Sequence, residues 1–117
     1  MPDSYEKIDR LFEPGAEETL QAYLRLLHPV DLAQLFRFID REKWAVIVES
    51  LSAERFAEVL SHLDEGIVEE LSLLVAPSVL AEAIEELETD DAADVVGELP
   101  EAKAEQVLAS LDDENRD

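Results

Sequence analysis

The chain has 117 residues, 30 acidic and 9 basic side chains, a formal net charge of −21 and no cysteine. This balance argues against nucleic-acid partners, because phosphate contacts draw on Lys and Arg, and against attraction to an anionic membrane surface for the same reason. The length supports one continuous core rather than two, and the lack of cysteine suits a reducing compartment.

In chain order, Tyr5, Ile8, Leu11 and Phe12 fall at helical spacing. They predict a short N-terminal cap helix, followed by a turn at Pro14-Gly15, so that 1–15 closes one end. From residue 16 to 111 the chain echoes itself every twelve residues. One column reads Leu27, Ile39, Leu51, Leu63, Val75, Leu87, Leu99 and Leu111. Seven positions earlier runs Leu20, Leu32, Trp44, Phe56, Val68, Leu80, Ala92 and Ala104. With apolar residues three and four before the first column, this is an i, i+3, i+4, i+7 stripe renewed in each repeat.

An unbroken helix cannot use such a stripe. Twelve residues advance it by about 1200°, roughly 120° out of phase, so the stripe would wind around the rod. The chain must break once per repeat. Helices are therefore expected at about 16–27, 29–39, 41–51, 53–63, 66–75, 78–87, 90–99 and 101–111, with 112–117 a polar tail. Asp40, Ser52, Asp64 and Asp112 stand where N-caps are needed, His28 could serve the same purpose, and Thr89 is expected to cap a helix from Asp90. Pro29 and Pro77 suit a first turn, and Pro100 discourages continuation. No segment alternates with period two. The fold class is all-α, a superhelical stack of short helices resembling an α-solenoid, each helix leaning on its nearest neighbours. No apolar run approaches the ~20 residues that span a bilayer, and no signal peptide opens the chain; the piece is expected to be soluble.

Charge divides the chain. Residues 1–55 carry 11 acids and 7 bases, a net of −4, and residues 56–117 carry 19 acids and 2 bases, a net of −17. Arg25, Arg37, Arg41, Lys43 and Arg55 are expected to pair with nearby acids. Trp44 and Phe56, in the inward column, are expected in the core.

The densest acidic stretch is Thr89-Asp90-Asp91-Ala92-Ala93-Asp94. Asp90 and Asp91 fall in a first helical turn, where the helix dipole favours negative charge. On a wheel with Asp90 at 0°, Asp94 lies at about 40° and Glu98 at about 80°, while the apolar residues cluster at about 140–240°. Glu58 and the set Glu82, Glu85 and Glu86 lie opposite their own apolar stripes. Successive helices could thus line a common acidic wall suited to a hard divalent cation, which takes oxygen ligands and keeps several waters. A solvated acidic face is the plainer reading of the same residues.

The segments Ala57-Glu58-Val59-Leu60-Ser61-His62-Leu63, Glu85-Glu86-Leu87 and 89–100 resemble the cytosolic N-terminal domain of the MgtE family of magnesium transporters and channels, and His28-Pro29-Val30-Asp31-Leu32-Ala33 resembles its opening segment. The similarity spans about 28–112. The resemblance implies a single regulatory domain over 1–117, a right-handed superhelix, with the family's CBS pair and transmembrane pore absent from this chain. It implies residence on the cytoplasmic side of the cell membrane as part of a homodimeric transporter. It further implies that Mg²⁺ bridges the acidic face to CBS domains of the same polypeptide and favours a closed state. Carried over residue by residue, the metal contacts fall on Glu58, Asp90 and Asp94, with Asp91 in the same motif. Regulatory Mg²⁺ is expected to bind weakly to the domain alone. The alternative is a metal-independent interaction scaffold, resembling helical modules of the flagellar motor switch. A scaffold of that kind calls for an exposed hydrophobic groove, and none is expected in residues 56–111. An enzyme is not expected, since neither histidine sits in a nucleophile or metal-ligand pattern.

Overall fold

Breaks arrive once per repeat in the computed structural model, which describes residues 8–115 and contains no strand among them. After a helical turn at 8–10 come α1 (Glu17–Leu26), α2 (Pro29–Phe38), a 3-10 turn (Arg41–Lys43) leading into α3 (Trp44–Glu49), and α4 (Ala53–Leu60). There follow α5 (Glu65–Ser72), α6 (Pro77–Glu85), α7 (Thr89–Glu98) and α8 (Glu101–Asn115). The molecule is elongated, 45 × 28 × 22 Å. Of the expected N-terminal helix, Tyr5 lies outside the described residues, while Ile8 is buried in the core and Leu11 and Phe12 pack against it. Gly15 makes the expected turn at φ +94°, a backbone region that favours glycine.

The junctions use several different caps. The Ser52 hydroxyl accepts from the Arg55 amide at 3.2 Å, and His28 Nδ1 accepts from the Val30 amide at 3.4 Å. Pro29 and Pro77 occupy first turns, where the missing N–H is harmless. Asp40 and Asp64 sit at N-cap positions without side-chain capping bonds. The Asp64 carboxylate instead accepts from the Arg37 guanidinium at 2.6 Å. Thr89 is the first residue of α7 rather than its cap, which is Glu88. The expected tail at 112–117 also needs correction. Residues 112–115 continue α8, because nothing after Leu111 breaks a helix already nucleated, so Asp112 is interior to it. Residues 116 and 117 lie outside the described residues.

The two columns are the core. Leu20, Leu32, Trp44, Phe56, Val68 and Leu80 are buried, as are Ile39, Val75 and Leu99, with the remaining column residues packed against them. Trp44 donates its indole N–H to the Ile39 carbonyl at 3.2 Å and meets Phe36 edge-on, with ring centroids 5.7 Å apart. This satisfies the one polar atom of a buried indole.

Packing departs from a nearest-neighbour stack. The principal contacts link α2 to α4, α4 to α6 and α6 to α8 in one row, and α5 to α7 in a second. From α4 onward, and for α2, the chief partner of each helix is thus the one two elements along the chain, with a lesser contact between α6 and α7. Two ion pairs join the less acidic first half to the second, Arg37 with Asp64 and Arg41 with Glu70 at 3.8 Å, and Lys43 pairs with Asp9 at 3.0 Å within the first. Arg55 differs from expectation. Its guanidinium donates to the carbonyls of Leu24 at 3.0 Å and Leu27 at 2.7 Å, closing the C-terminal end of α1 rather than pairing with an acid.

Candidate functional site

The row packing of α4 against α6 opens an acidic cleft of about 460 Å³. Glu54 and Glu58, at i and i+4 on α4, and Ser61, its C-cap residue, form one wall. The other wall comes from the α6–α7 junction, with Glu86, Glu88 and Asp91. Ala57 and Leu87 line the cleft between them. Five carboxylates therefore line one concavity with no basic side chain among its lining residues. The local sequence produces this arrangement. Phe56, Val59 and Leu60 draw the apolar face of α4 into the core and leave Glu58 exposed. Glu88 and Asp91 stand at the cap and first turn of α7, where the positive end of the helix dipole offsets part of their repulsion.

All four residues singled out from the sequence, Glu58, Asp90, Asp91 and Asp94, are exposed. The structure does not gather them into one site. Glu58 and Asp91 share the cleft, whereas Asp90 and Asp94 are not among its lining residues. Asp94 belongs instead to a carboxylate group with Glu98 and with Glu65 of the adjacent α5. Burial, reinforced by the charges of Glu65 and Asp94, raises the Glu98 carboxyl above its ordinary pKa. The wheel could not separate these two groups. Asp91 and Glu98 point in similar directions but lie seven residues apart, about 10 Å along the axis.

Among the described residues, no three carboxylate or imidazole side chains converge closely enough to hold a metal ion. The chain alone can thus offer a hard cation one or two direct oxygen ligands and an acidic surround. That donor set fits Mg²⁺, which keeps much of its water and typically takes one or two carboxylates from a protein.

Of the lining carboxylates, Glu54 and Glu88 are the two that the sequence reading does not single out. Glu54 was legible as the i−4 neighbour of Glu58. Glu88 became part of the cleft only once α6 and α7 were placed beside α4. A second concavity is formed jointly by residues 45–53 and by residues of the 56–111 range in which no apolar groove is expected. A groove of about 300 Å³ is lined by Val48, Phe56, Leu74, Val75 and Val79, with Glu49 and Glu82 also lining it. Its apolar residues lie partly in the α5–α6 turn, which a helical wheel does not represent. No helix among the described residues is long and apolar enough to cross a membrane.

Comparison with known proteins bears on residues 27–117, which match the family described as MgtE intracellular N domain. No curated protein matches the chain.

Proposed function

From the premise that the chain belongs to the MgtE intracellular N domain family, we propose that it is the regulatory domain of a magnesium transporter and senses Mg²⁺ on the cytoplasmic side of the membrane. The acidic cleft and its neighbouring carboxylates form the face that docks on CBS domains of the same polypeptide. Glu58 and Asp91 act in the cleft, and Asp90 and Asp94 act on the adjoining surface of α7. The transporter works as a homodimer.

The observation that carries this reading is a cleft lined by five carboxylates and no base, on a half-chain of net −17. Carboxylates at such a surface repel any acidic partner, and counter-ions screen that repulsion over about 8 Å at physiological ionic strength. A divalent cation supplies the positive charge that lets two such faces meet. The residues on this chain provide one or two oxygen ligands and fix the position of the charge, while the partner face completes the shell. Mg²⁺ then shifts the equilibrium toward the docked, closed arrangement by its higher affinity for that state. Regulation would require binding weak enough to follow changes in free Mg²⁺, which suits an exposed and incomplete donor set.

The test is Mg²⁺-dependent association of this chain with the CBS pair, followed by isothermal titration at constant ionic strength. Saturable docking that Mg²⁺ promotes and equal ionic strength of NaCl does not is the expected outcome. Docking unaffected by Glu58→Gln combined with Asp91→Asn, Asp90→Asn and Asp94→Asn would remove these residues from the mechanism. Association independent of Mg²⁺ would favour the scaffold.

A further inference from the structure

The groove between α3–α4 and the α5–α6 turn has no part in the acidic cleft, and its chemistry differs. Phe56 and Val75 are buried among its lining residues, while Leu74 and Val79 remain 43% and 37% exposed. Leu73 and Val46, the chain neighbours of the lining residues Leu74 and Ala45, are also exposed, at 61% and 40%. Glu49 from α3 and Glu82 from α6 line the same groove, and no basic side chain does. We propose that this groove is a docking site for an amphipathic helix of a partner protein, its apolar face flanked by Lys or Arg.

The apolar lining calls for aliphatic or aromatic anchors at i, i+3 or i+4, the usual mode by which a helix fills a short groove. Glu49 and Glu82 call for cationic flanks, and the surrounding charge selects against acidic segments before contact. A second copy of this chain is a poor occupant, because each copy carries a net charge of −21. The site goes beyond magnesium sensing and does not depend on it.

The test uses the 117-residue chain and two fluorescein-labelled 18-residue helical peptides with the same Leu stripe, one with Lys and the other with Glu on the remaining positions. Fluorescence anisotropy at 150 mM NaCl reads binding. The Leu/Lys peptide is expected to bind one to one and the Leu/Glu peptide at least tenfold more weakly. Val79→Asp adds an acid to the first turn of α6, a favourable place for the helix, and is expected to weaken the Leu/Lys peptide at least tenfold. Leu74→Asp, in the turn, provides a second apolar lesion, and circular dichroism checks that both variants are folded. Glu49→Lys with Glu82→Lys should invert the peptide preference, whereas Glu101→Lys with Glu105→Lys on α8 changes net charge equally and should not. The proposal is overturned if the folded Asp variants bind as wild type or if the α8 reversals weaken binding as much as the groove reversals. It is also overturned if sedimentation shows a dimer that Val79→Asp dissolves, which would make a second copy the occupant.

Discussion

Replacing Arg55 by Met keeps the aliphatic stem and deletes a guanidinium that joins α4 to the end of α1. Two of its hydrogen bonds, to Leu24 and Leu27, are short and part-buried, and a third, to the Arg25 carbonyl, is 3.5 Å and exposed. Bonds from a charged donor contribute about 1.5–3 kcal/mol each when well made. Here water can reach the freed carbonyls in part, and Arg55 Nε, buried without a partner, already carries a desolvation cost that the substitution relieves. The net expectation is about 2 kcal/mol of destabilisation, carried almost wholly by the two short bonds. For a chain of this size that is a fall of about 8 °C in Tm. Urea unfolding followed by far-ultraviolet circular dichroism measures it directly, and an unchanged m-value would show that the denatured state is unaltered. Arg55→Lys, which can satisfy one carbonyl but not both in the same geometry, should recover about half of the loss. A cost below about 0.5 kcal/mol for Arg55→Met would refute the reasoning, because it would mean the carbonyls are as well served by water.

Other expectations follow from the same geometry. Ser52→Ala should cost about 1 kcal/mol because its hydroxyl caps α4, while Asp64→Asn should cost no more than about 0.5 kcal/mol, since that carboxylate is engaged in an exposed ion pair; chemical denaturation compares the two. Leu71→Ala, at a fully buried position of α5, should destabilise by about 3 kcal/mol in the same assay. Glu98 binds its proton more tightly in the folded chain, so its ionisation lowers stability as pH rises through the carboxylate range. Glu98→Gln should therefore stabilise at pH 7, with the gain vanishing as pH falls below the ordinary carboxylate pKa, as thermal melts across pH would record. In Mg²⁺-dependent docking, Glu58→Gln and Asp91→Asn should couple in a double-mutant cycle, being in one cleft, whereas Glu58→Gln and Asp94→Asn should add.

Residue periodicity made the existence and order of the helices legible, because each repeat carries its own stripe, but less so their ends. The expected 41–51 helix is a 3-10 turn followed by Trp44–Glu49, those expected at 53–63 and 66–75 stop at Leu60 and Ser72, and α8 runs past Leu111 to Asn115. Leu32, Trp44 and Phe56 could be placed in the core from spacing alone, and the structure buries them. The partner of each helix was not legible. A stripe shows that a face is covered but not by which neighbour, so the leaning of α4 on α2 and α6 emerges only in three dimensions. The same limit applies to the candidate site. A wheel shows that Glu58, Asp90 and Asp94 point outward, yet the position of α4 beside the α6–α7 junction puts Glu58 in one cleft with Asp91 and leaves Asp94 with Glu98. Arg55 departs from the expectation because charge points to an acid as partner, whereas the open carbonyls at the end of α1 are what its guanidinium reaches. The apolar groove was hidden because Leu74 and Val75 belong to a turn.

Because α2, α4, α6 and α8 touch in succession while α5 meets α7 beside them, the architecture has an odd–even parity. Deleting one twelve-residue unit from the middle would send every later helix to the opposite rank, exchanging its covered flank for another. Removing two units would preserve the rank of everything downstream. The indivisible module for growth or shortening of this chain is thus a twenty-four-residue couple, although the smallest echo in its letters is half as long.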